Sequence, residues 1–525
     1  MKELKIQEAL KTMNEERKNA VVFSVDAEKR SGKRITNKVS MINQWDYARA
    51  FLGERDKTFF AKEFPFVENI QFMTATGGSL SRDLFIDPSN AAVTDDYDFH
   101  RLIEACRNVV DQGTVKPFLK TGAVPIKYSS SAPISASFGV NLQKPDDYGV
   151  YHRYIAAAAQ ALVDEFGLEE VRTWKWGVLT EYENQAWFIC GTPEETAEAY
   201  FCLYDYTVDA LQSVLGEDIY IGAHSMTCSE GLWDERLFIR HCANGTNRCT
   251  GKTGTRLCYL TSSFYDITPN QAAPRTMEES IAILRDCAEE CGLHGLSYGI
   301  DEGRILNGCD NLPLVSRVTG HTSQAAYDAM TIKKMIDYDI DYFCAWCYLS
   351  GNAFEGLKTV SYHTAERFYQ MVGNELLLSD VTVGALPRDD IRPEIVASVD
   401  EKTGAVRLMA YYFVRDMLYS EKIPTGFAVT LPTYTGKVKV TRWLVDDTAN
   451  FFVRWYEKAK TMENKTGWSV DSASILLPFR PEEYEADSRL IPTEEIRTVE
   501  NGKLDLNLDL QCGGVVFYTI EKIAE

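Results

Sequence analysis

The sequence predicts an α/β protein, a (β/α)8 TIM barrel followed by an antiparallel β-sandwich domain. Three observations carry that expectation. Strand-like and helix-like segments alternate from about residue 39 to residue 370. Beyond residue 375 they give way to short strand-like runs with turn residues between them, the spacing expected of a sandwich. Two glutamates, Glu181 and Glu302, each follow an apolar run, at the fourth and seventh of the candidate barrel strands.

The eight barrel strands are expected at Val39–Asn43, Asn69–Thr74, Val115–Leu119, Trp174–Leu179, Asp218–Gly222, Leu257–Leu260, Leu296–Ile300 and Tyr342–Trp346. Strands of a parallel barrel are buried on both faces and so carry short apolar runs of this kind. Helical patterns fill the intervals. Tyr151, Ile155, Ala158, Leu162 and Phe166 recur at spacings of three and four and share one face. Thr192-Pro193-Glu194-Glu195 offers an N-cap, a proline at the first helical position and a glutamate at the third. Thr276 with Glu279 repeats the capping box.

In the second module, strands are expected at Ile395–Val399, Val406–Tyr411, Phe427–Leu431, Val438–Trp443 and Val515–Tyr518. Leu504, Leu506, Leu508 and Leu510 alternate strictly with polar residues, so that strand should bury one face and solvate the other. The domain division is residues 1–38 as an N-terminal segment placed against the sandwich, 39–372 as the barrel, and 373–525 as the β-sandwich. Neither an internal repeat nor a low-complexity linker appears, so the modules should pack together.

Composition narrows the function. The chain has 525 residues, 45% of them hydrophobic, enough to bury large cores. Its net charge of −21 argues against nucleic acid as a partner and disfavours a polyanionic substrate. The opening Met1-Lys2-Glu3-Leu4-Lys5 is charged and amphipathic where a signal peptide would be apolar, and no run of ~18 apolar residues occurs, so the expected location is the cytoplasm with no membrane span. The 13 cysteines are scattered and read as buried free thiols. Cys287 and Cys291 stand at helical spacing without the further ligands a zinc site needs. Gly245 to Lys252 resembles a phosphate-binding loop but has five residues between its glycines where four are required. Neither cofactor nor metal is expected, and a homo-oligomer is left open.

Two carboxyls facing each other across a barrel mouth are the basic equipment for cleaving a glycosidic bond, and strand C-termini point into that mouth. Glu181 and Glu302 fit this pattern. Glu183 is the rival for the acid/base role, or lines a substrate subsite beside Asn184. An ionised Glu302 would disfavour a second charge and so keep a proton on Glu181. His224, after the fifth strand, is either a substrate ligand or a loop histidine; Asn43 and Trp45, after the first, are weaker candidates.

The stretch from Lys144-Pro145-Asp146-Asp147-Tyr148 through Phe166-Gly167-Leu168-Glu169-Glu170-Val171-Arg172-Thr173-Trp174 to Glu181 resembles glycoside hydrolase family 39, as do Lys116 to Gly122, the Asp301-Glu302 strand and the trailing β module. That family includes β-xylosidases and α-L-iduronidases. The resemblance implies a retaining hydrolase, β-xylosidase-like, with Glu181 as acid/base and Glu302 as nucleophile; with no export signal expected, its substrates are expected to be short, already imported oligosaccharides, cleaved in exo fashion. It also implies that Trp346 is an aromatic platform under the sugar and that Tyr265 hydrogen-bonds the nucleophile. The family places Asn before and Pro after the acid/base; here Thr180 and Tyr182 stand there. Its strand-six His-x-Tyr appears as Ser263-Phe264-Tyr265, and Gly303 replaces the Trp common after the nucleophile. These departures keep two alternatives open: a glycosidase for an arabinose-, galactose- or uronate-type sugar, the last favoured if Lys120 or Arg304 lines the pocket, and a carbohydrate-binding barrel that has lost catalysis.

Overall fold

The computed structural model describes residues 19–44, 64–266, 273–305, 321–346, 357–459 and 480–523, apart from the single positions 137, 224, 230, 233, 417 and 433. In chain order the strands are β1 (Val21–Arg34), β2 (Met41–Gln44), β3 (Asn69–Phe72), β4 (Lys116–Thr121), β5 (Lys175–Val178), β6 (Tyr220–Gly222), β7 (Ser225–Met226), β8 (Tyr259–Asp266), β9 (Ser297–Ile305), β10 (Tyr342–Trp346), β11 (Glu375–Val383), β12 (Arg392–Val399), β13 (Val406–Phe413), β14 (Lys422–Thr430), β15 (Gly436–Val445), β16 (Thr493–Val499), β17 (Lys503–Gln511) and β18 (Val515–Lys522).

Strands β2 to β10 form one all-parallel sheet in the order β6-β5-β4-β3-β2-β10-β9-β8-β7. The fifth barrel strand is split: β6 pairs with β5 and β7 with β8. Ala223 N to Tyr259 O at 3.3 Å and Cys258 N to Ile221 O at 2.8 Å cross the remaining seam. The ring is thus nearly closed, and all strand C-termini lie on one rim.

The barrel interior is filled by Met41, Phe118, Tyr259, Tyr342 and Cys344. Small residues on neighbouring strands make room for these rings. A Cβ on Gly299 would sit 2.5 Å from Tyr342 Cζ, and one on Gly177 would sit 2.7 Å from Tyr259 Oη. The outer face of the barrel packs on helices α1 (His100–Val110), α2 (Tyr148–Phe166), α3 (Leu168–Val171), α4 (Pro193–Leu215), α5 (Arg236–Asn244), α6 (Met277–Glu290), α7 (Ser323–Asp337) and α8 (Val360–Tyr369). The apolar face of α2 buries Tyr151, Ile155, Ala158 and Leu162, and Phe166 tilts against Trp174 with ring centroids 5.3 Å apart. Both expected capping boxes form, Thr192 with Glu195 at α4 and Thr276 with Glu279 at α6. Among the described residues no helix is long and apolar enough to cross a membrane.

The remaining strands form a second nine-stranded sheet, β16-β15-β18-β13-β12-β11-β1-β14-β17. It is hydrogen-bonded as one continuous ladder, antiparallel except for the parallel β1–β14 pair. Its core gathers Val21, Phe23, Tyr412, Phe427, Leu506 and Val516. β17 shows the expected alternation, with Leu504, Leu506, Leu508 and Leu510 buried. β1, from the segment ahead of the barrel, runs between β11 and β14. The two modules meet where α7 packs on β13: Tyr327 lies 6.2 Å from Phe413 between ring centroids, and Ala326 N donates to Gly513 O at 3.1 Å.

Candidate active site

Glu181 follows the C-terminus of β5 in a backbone turn of unusual geometry. Leu179 has φ 61° and Glu181 φ 40°, left-handed conformations that cost non-glycine residues of order 1–3 kcal/mol each and persist only where the surroundings impose them. Here the surroundings do so: Leu179 N donates to Thr121 O at 2.6 Å on β4, and Glu181 N to Ser225 O at 2.9 Å on β7. Thr180 and Glu181 are buried, Glu181 only 5% exposed. The Ser263 hydroxyl, on β8, donates to Glu181 Oε1 at 2.5 Å, and Asn184 Nδ2 donates to Oε2 at 3.2 Å.

Glu302 reaches the same place from β9 and is also 5% exposed. The Tyr265 hydroxyl donates to its Oε1 at 3.3 Å. The two glutamates lie close enough for Glu302 to act on the titration of Glu181. Burial raises the pKa of Glu181, and this is the largest cause; hydrogen bonds from Ser263, Asn184 and Glu302 oppose it, and the Glu183 charge adds to the rise. Burial is thus the first cause that favours a proton on Glu181.

Beneath the pair lies a polar layer that the sequence did not reveal. Lys120 on β4 and Asp301 on β9 are both 0% exposed and form an ion pair. The Tyr342 hydroxyl donates to Asp301 Oδ1 at 2.9 Å. The Asp301 carbonyl accepts from Asn43 Nδ2 at 3.3 Å and Gln71 Nε2 at 3.2 Å. Lys120 and Asn43, considered above as substrate ligands, are thus engaged below the glutamates. Of the other candidates, Glu183 is buried close enough for its charge to act on Glu181. Trp346 ends β10, in register with Asn43 of β2. Trp45 and His224 lie outside the described residues. Tyr182 turns back into the core, stacked on Tyr200 at 4.3 Å and 9°.

The other sequence features resolve plainly. In the loop that resembles a phosphate site, Asn247 Oδ1 accepts from Cys249 N at 3.0 Å and Thr250 N at 2.8 Å, while Thr246 bridges Thr253. On the outer surface His152, Asp209 and Cys249 cluster. There Nε2 of His152 lies 2.8 Å from Asp209, and the Cys249 thiol also hydrogen-bonds that carboxylate, so the group is satisfied internally.

The nearly closed parallel barrel thus places one buried glutamate just after its fourth strand and another within its seventh. Comparison with known proteins agrees. Residues 60–291 match the model of glycosyl hydrolases family 39, a segment that contains Glu181 and ends before Glu302. A β-xylosidase of Geobacillus stearothermophilus is 23% identical over 291 residues, 51% of this chain and 55% of that protein. A β-xylosidase of Caldicellulosiruptor saccharolyticus is 30% identical over 168 residues, 32% of this chain and 31% of that one. The matches thus span about half and about a third of the curated relatives' lengths. In fold, a family 39 enzyme from Xanthomonas axonopodis pv. citri superposes with a TM-score of 0.72 at 14% identity, covering 97% of this chain and 99% of that one. Over residues 60–291 the chain resembles glycosyl hydrolase family 39, and its fold is that of solved family 39 enzymes.

Proposed function

We propose that the protein is a retaining, exo-acting glycoside hydrolase of short oligosaccharides, β-xylosidase-like, with Glu181 as general acid/base and Glu302 as nucleophile. The observation that carries this reading is the convergence of two buried carboxyls: Ser263, which holds Glu181, is the register partner of Glu302 across β8 and β9, and Tyr265 holds Glu302. Inverting enzymes hold theirs ~6.5–9.5 Å apart to admit a water between them, whereas retaining pairs sit at ~5–5.5 Å. In the first step protonated Glu181 gives its proton to the leaving oxygen, while the Glu302 carboxylate attacks the anomeric carbon. In the second, Glu181 takes a proton from water, which displaces Glu302. Tyr265 keeps Glu302 oriented. The β module, on this reading an accessory sandwich, supports the barrel through α7.

A glycosidase for another sugar is the second reading, favoured by Thr180. Its hydroxyl is buried beside Glu181 without a hydrogen-bond partner among the described residues, at the position where the family pattern has an Asn that bonds the sugar 2-hydroxyl. A panel of aryl glycosides of xylose, arabinose, galactose and glucuronate, with covalent labelling of Glu302 by the matching 2-deoxy-2-fluoro glycoside, decides between these. Labelling of another residue would overturn the assignment. Failure of every sugar to turn over would favour the binding-only barrel.

A further inference from the structure

Asp301 and Glu302 are consecutive in β9, yet both side chains face the barrel interior. Along a regular strand this cannot occur, because successive side chains alternate. The pairing registers explain it. Against β8, Ser262 faces Ile300 and the next residue, Ser263, faces Glu302. Against β10, Phe343 faces Ile300 and Ala345 faces Gly303, a gap of two residues against three. Both neighbours thus see one extra residue in β9 after Ile300, and the register against β8 places it between Ile300 and Glu302, a β-bulge at Asp301.

The side-chain directions agree. Gly299 faces inward, because its Cβ would meet Tyr342. Ile300 belongs to the outer core under the helices. Asp301 points in, to Lys120 and Tyr342. Glu302 also points in, to Tyr265 and Glu181. Gly303 faces out again, because its Cβ would meet Phe343 Cζ at 2.7 Å. Without the extra residue Glu302 would be turned toward the helices. The bulged residue is held on every acceptor: the carboxylate by Lys120 from β4 and Tyr342 from β10, the carbonyl by Asn43 from β2 and Gln71 from β3. Lys175 on β5 places its Nζ over the ring of Tyr342, 5.2 Å from the centroid.

We infer that Lys120 is a positioning residue: by ion-pairing the bulged Asp301 across the barrel it fixes the turn of β9 that delivers Glu302 to Glu181. The inference takes from the proposed function only that Glu302 reacts; the placement itself is independent of it.

The test removes both charges together. Lys120→Met alone would strand a buried carboxylate and risk unfolding, so the main variant is Lys120→Met/Asp301→Asn, with Tyr342→Phe as a milder change that removes a single donor. Two measurements are made. Carbon NMR of labelled glutamate carboxyls follows Glu181 and Glu302 through titration; in the wild type each resonance should report both steps of a coupled pair. Steady-state kinetics on aryl glycosides separates kcat from KM. The expected result is a folded double variant in which each carboxyl titrates in one independent step, with kcat lowered about 100-fold, the effect of an ångström-scale misplacement, and KM little changed. Tyr342→Phe should move kcat the same way by about tenfold. If the double variant does not fold, Tyr342→Phe decides by the same two readouts. A folded variant with wild-type coupling and kcat would overturn the inference. Loss of coupling in a protein that hydrolyses no glycoside even as wild type would uphold the placement and sink the proposed reaction instead.

Discussion

Ser263 donates to Glu181 Oε1 at 2.5 Å while its own hydroxyl lies 2.9 Å from that of Ser225, so a two-serine chain ties β8 and β7 to the carboxyl. Serine here stands where the family pattern has His. A donor to a carboxylate favours the ionised form, which opposes the rise that burial imposes on Glu181. Ser263→Ala should therefore raise the Glu181 pKa further. In a pH profile of kcat/KM the basic limb, which reports loss of the acid's proton, should move to higher pH, and the acidic limb should move little. A basic limb displaced downward would contradict this account of the site.

Glu181→Ala should separate substrates by leaving group. An alkyl glycoside needs its departing oxygen protonated, and loss of a general acid costs about 10²–10⁴-fold. A dinitrophenyl glycoside needs little protonation, so its first step should persist and the glycosyl-enzyme should accumulate. Glu302→Ala should abolish turnover on both, because no covalent intermediate can form. Stopped-flow release of dinitrophenol distinguishes them: a burst with Glu181→Ala, none with Glu302→Ala. Equal loss on both leaving groups would remove the division of labour.

Much of this arrangement was legible in the sequence, and the reason differs by element. The barrel strands were readable because burial on both faces leaves apolar runs such as Trp176-Gly177-Val178. The two capping boxes were readable because they depend on residues three positions apart. β1, β11 and β16 were not. β11 leaves Leu378, Val381 and Val383 exposed, and β16 is an edge strand with an almost wholly exposed run, so neither shows a clean apolar face. The expected strand at Leu257–Leu260 stops well before the end of β8 at Asp266, because the C-terminal part of β8 carries the polar residues Thr261, Ser262 and Ser263. The bulge was invisible for a different reason. It is a property of the registers of β9 against two other strands, and its anchor Lys120 lies 181 positions away in the chain.

Gly299 offers a test of the barrel interior that does not touch the reacting groups. A methyl there would stand 2.5 Å from Tyr342 Cζ, and the ring is wedged in the interior with its hydroxyl fixed to Asp301. Overpacking of this kind costs about 1–3 kcal/mol. Gly299→Ala should lower the barrel's urea midpoint accordingly. Gly292→Ala is the control at a position where a Cβ meets nothing within 4 Å but φ is +77°; it should cost only the local backbone strain. Equal stability of Gly299→Ala and wild type would mean that the ring can move aside.

The last prediction concerns acid stability. His363 on α8 is buried, and its Nε2 donates to Ser488 O at 2.8 Å, joining the barrel to the segment before β16. Burial lowers its pKa to about 4, the largest of the causes acting on it. An unfolded chain binds a proton at histidine near ~6.5. Between these values the unfolded state holds more protons than the folded one, so stability falls as pH drops through that window and levels off below the folded pKa. The full loss from one such group is about 3 kcal/mol, at 1.36 kcal/mol per pKa unit. His321, beside Asp447 at the contact between modules, is lowered to about 4 in the same way and adds to it. Urea midpoints measured from pH 7 to pH 4 should therefore decline steeply below pH 6. His363→Gln keeps a donor for Ser488 but cannot titrate, so it should flatten the decline while leaving stability at pH 7 nearly unchanged. An identical slope in the variant would show that the acid sensitivity comes from other groups.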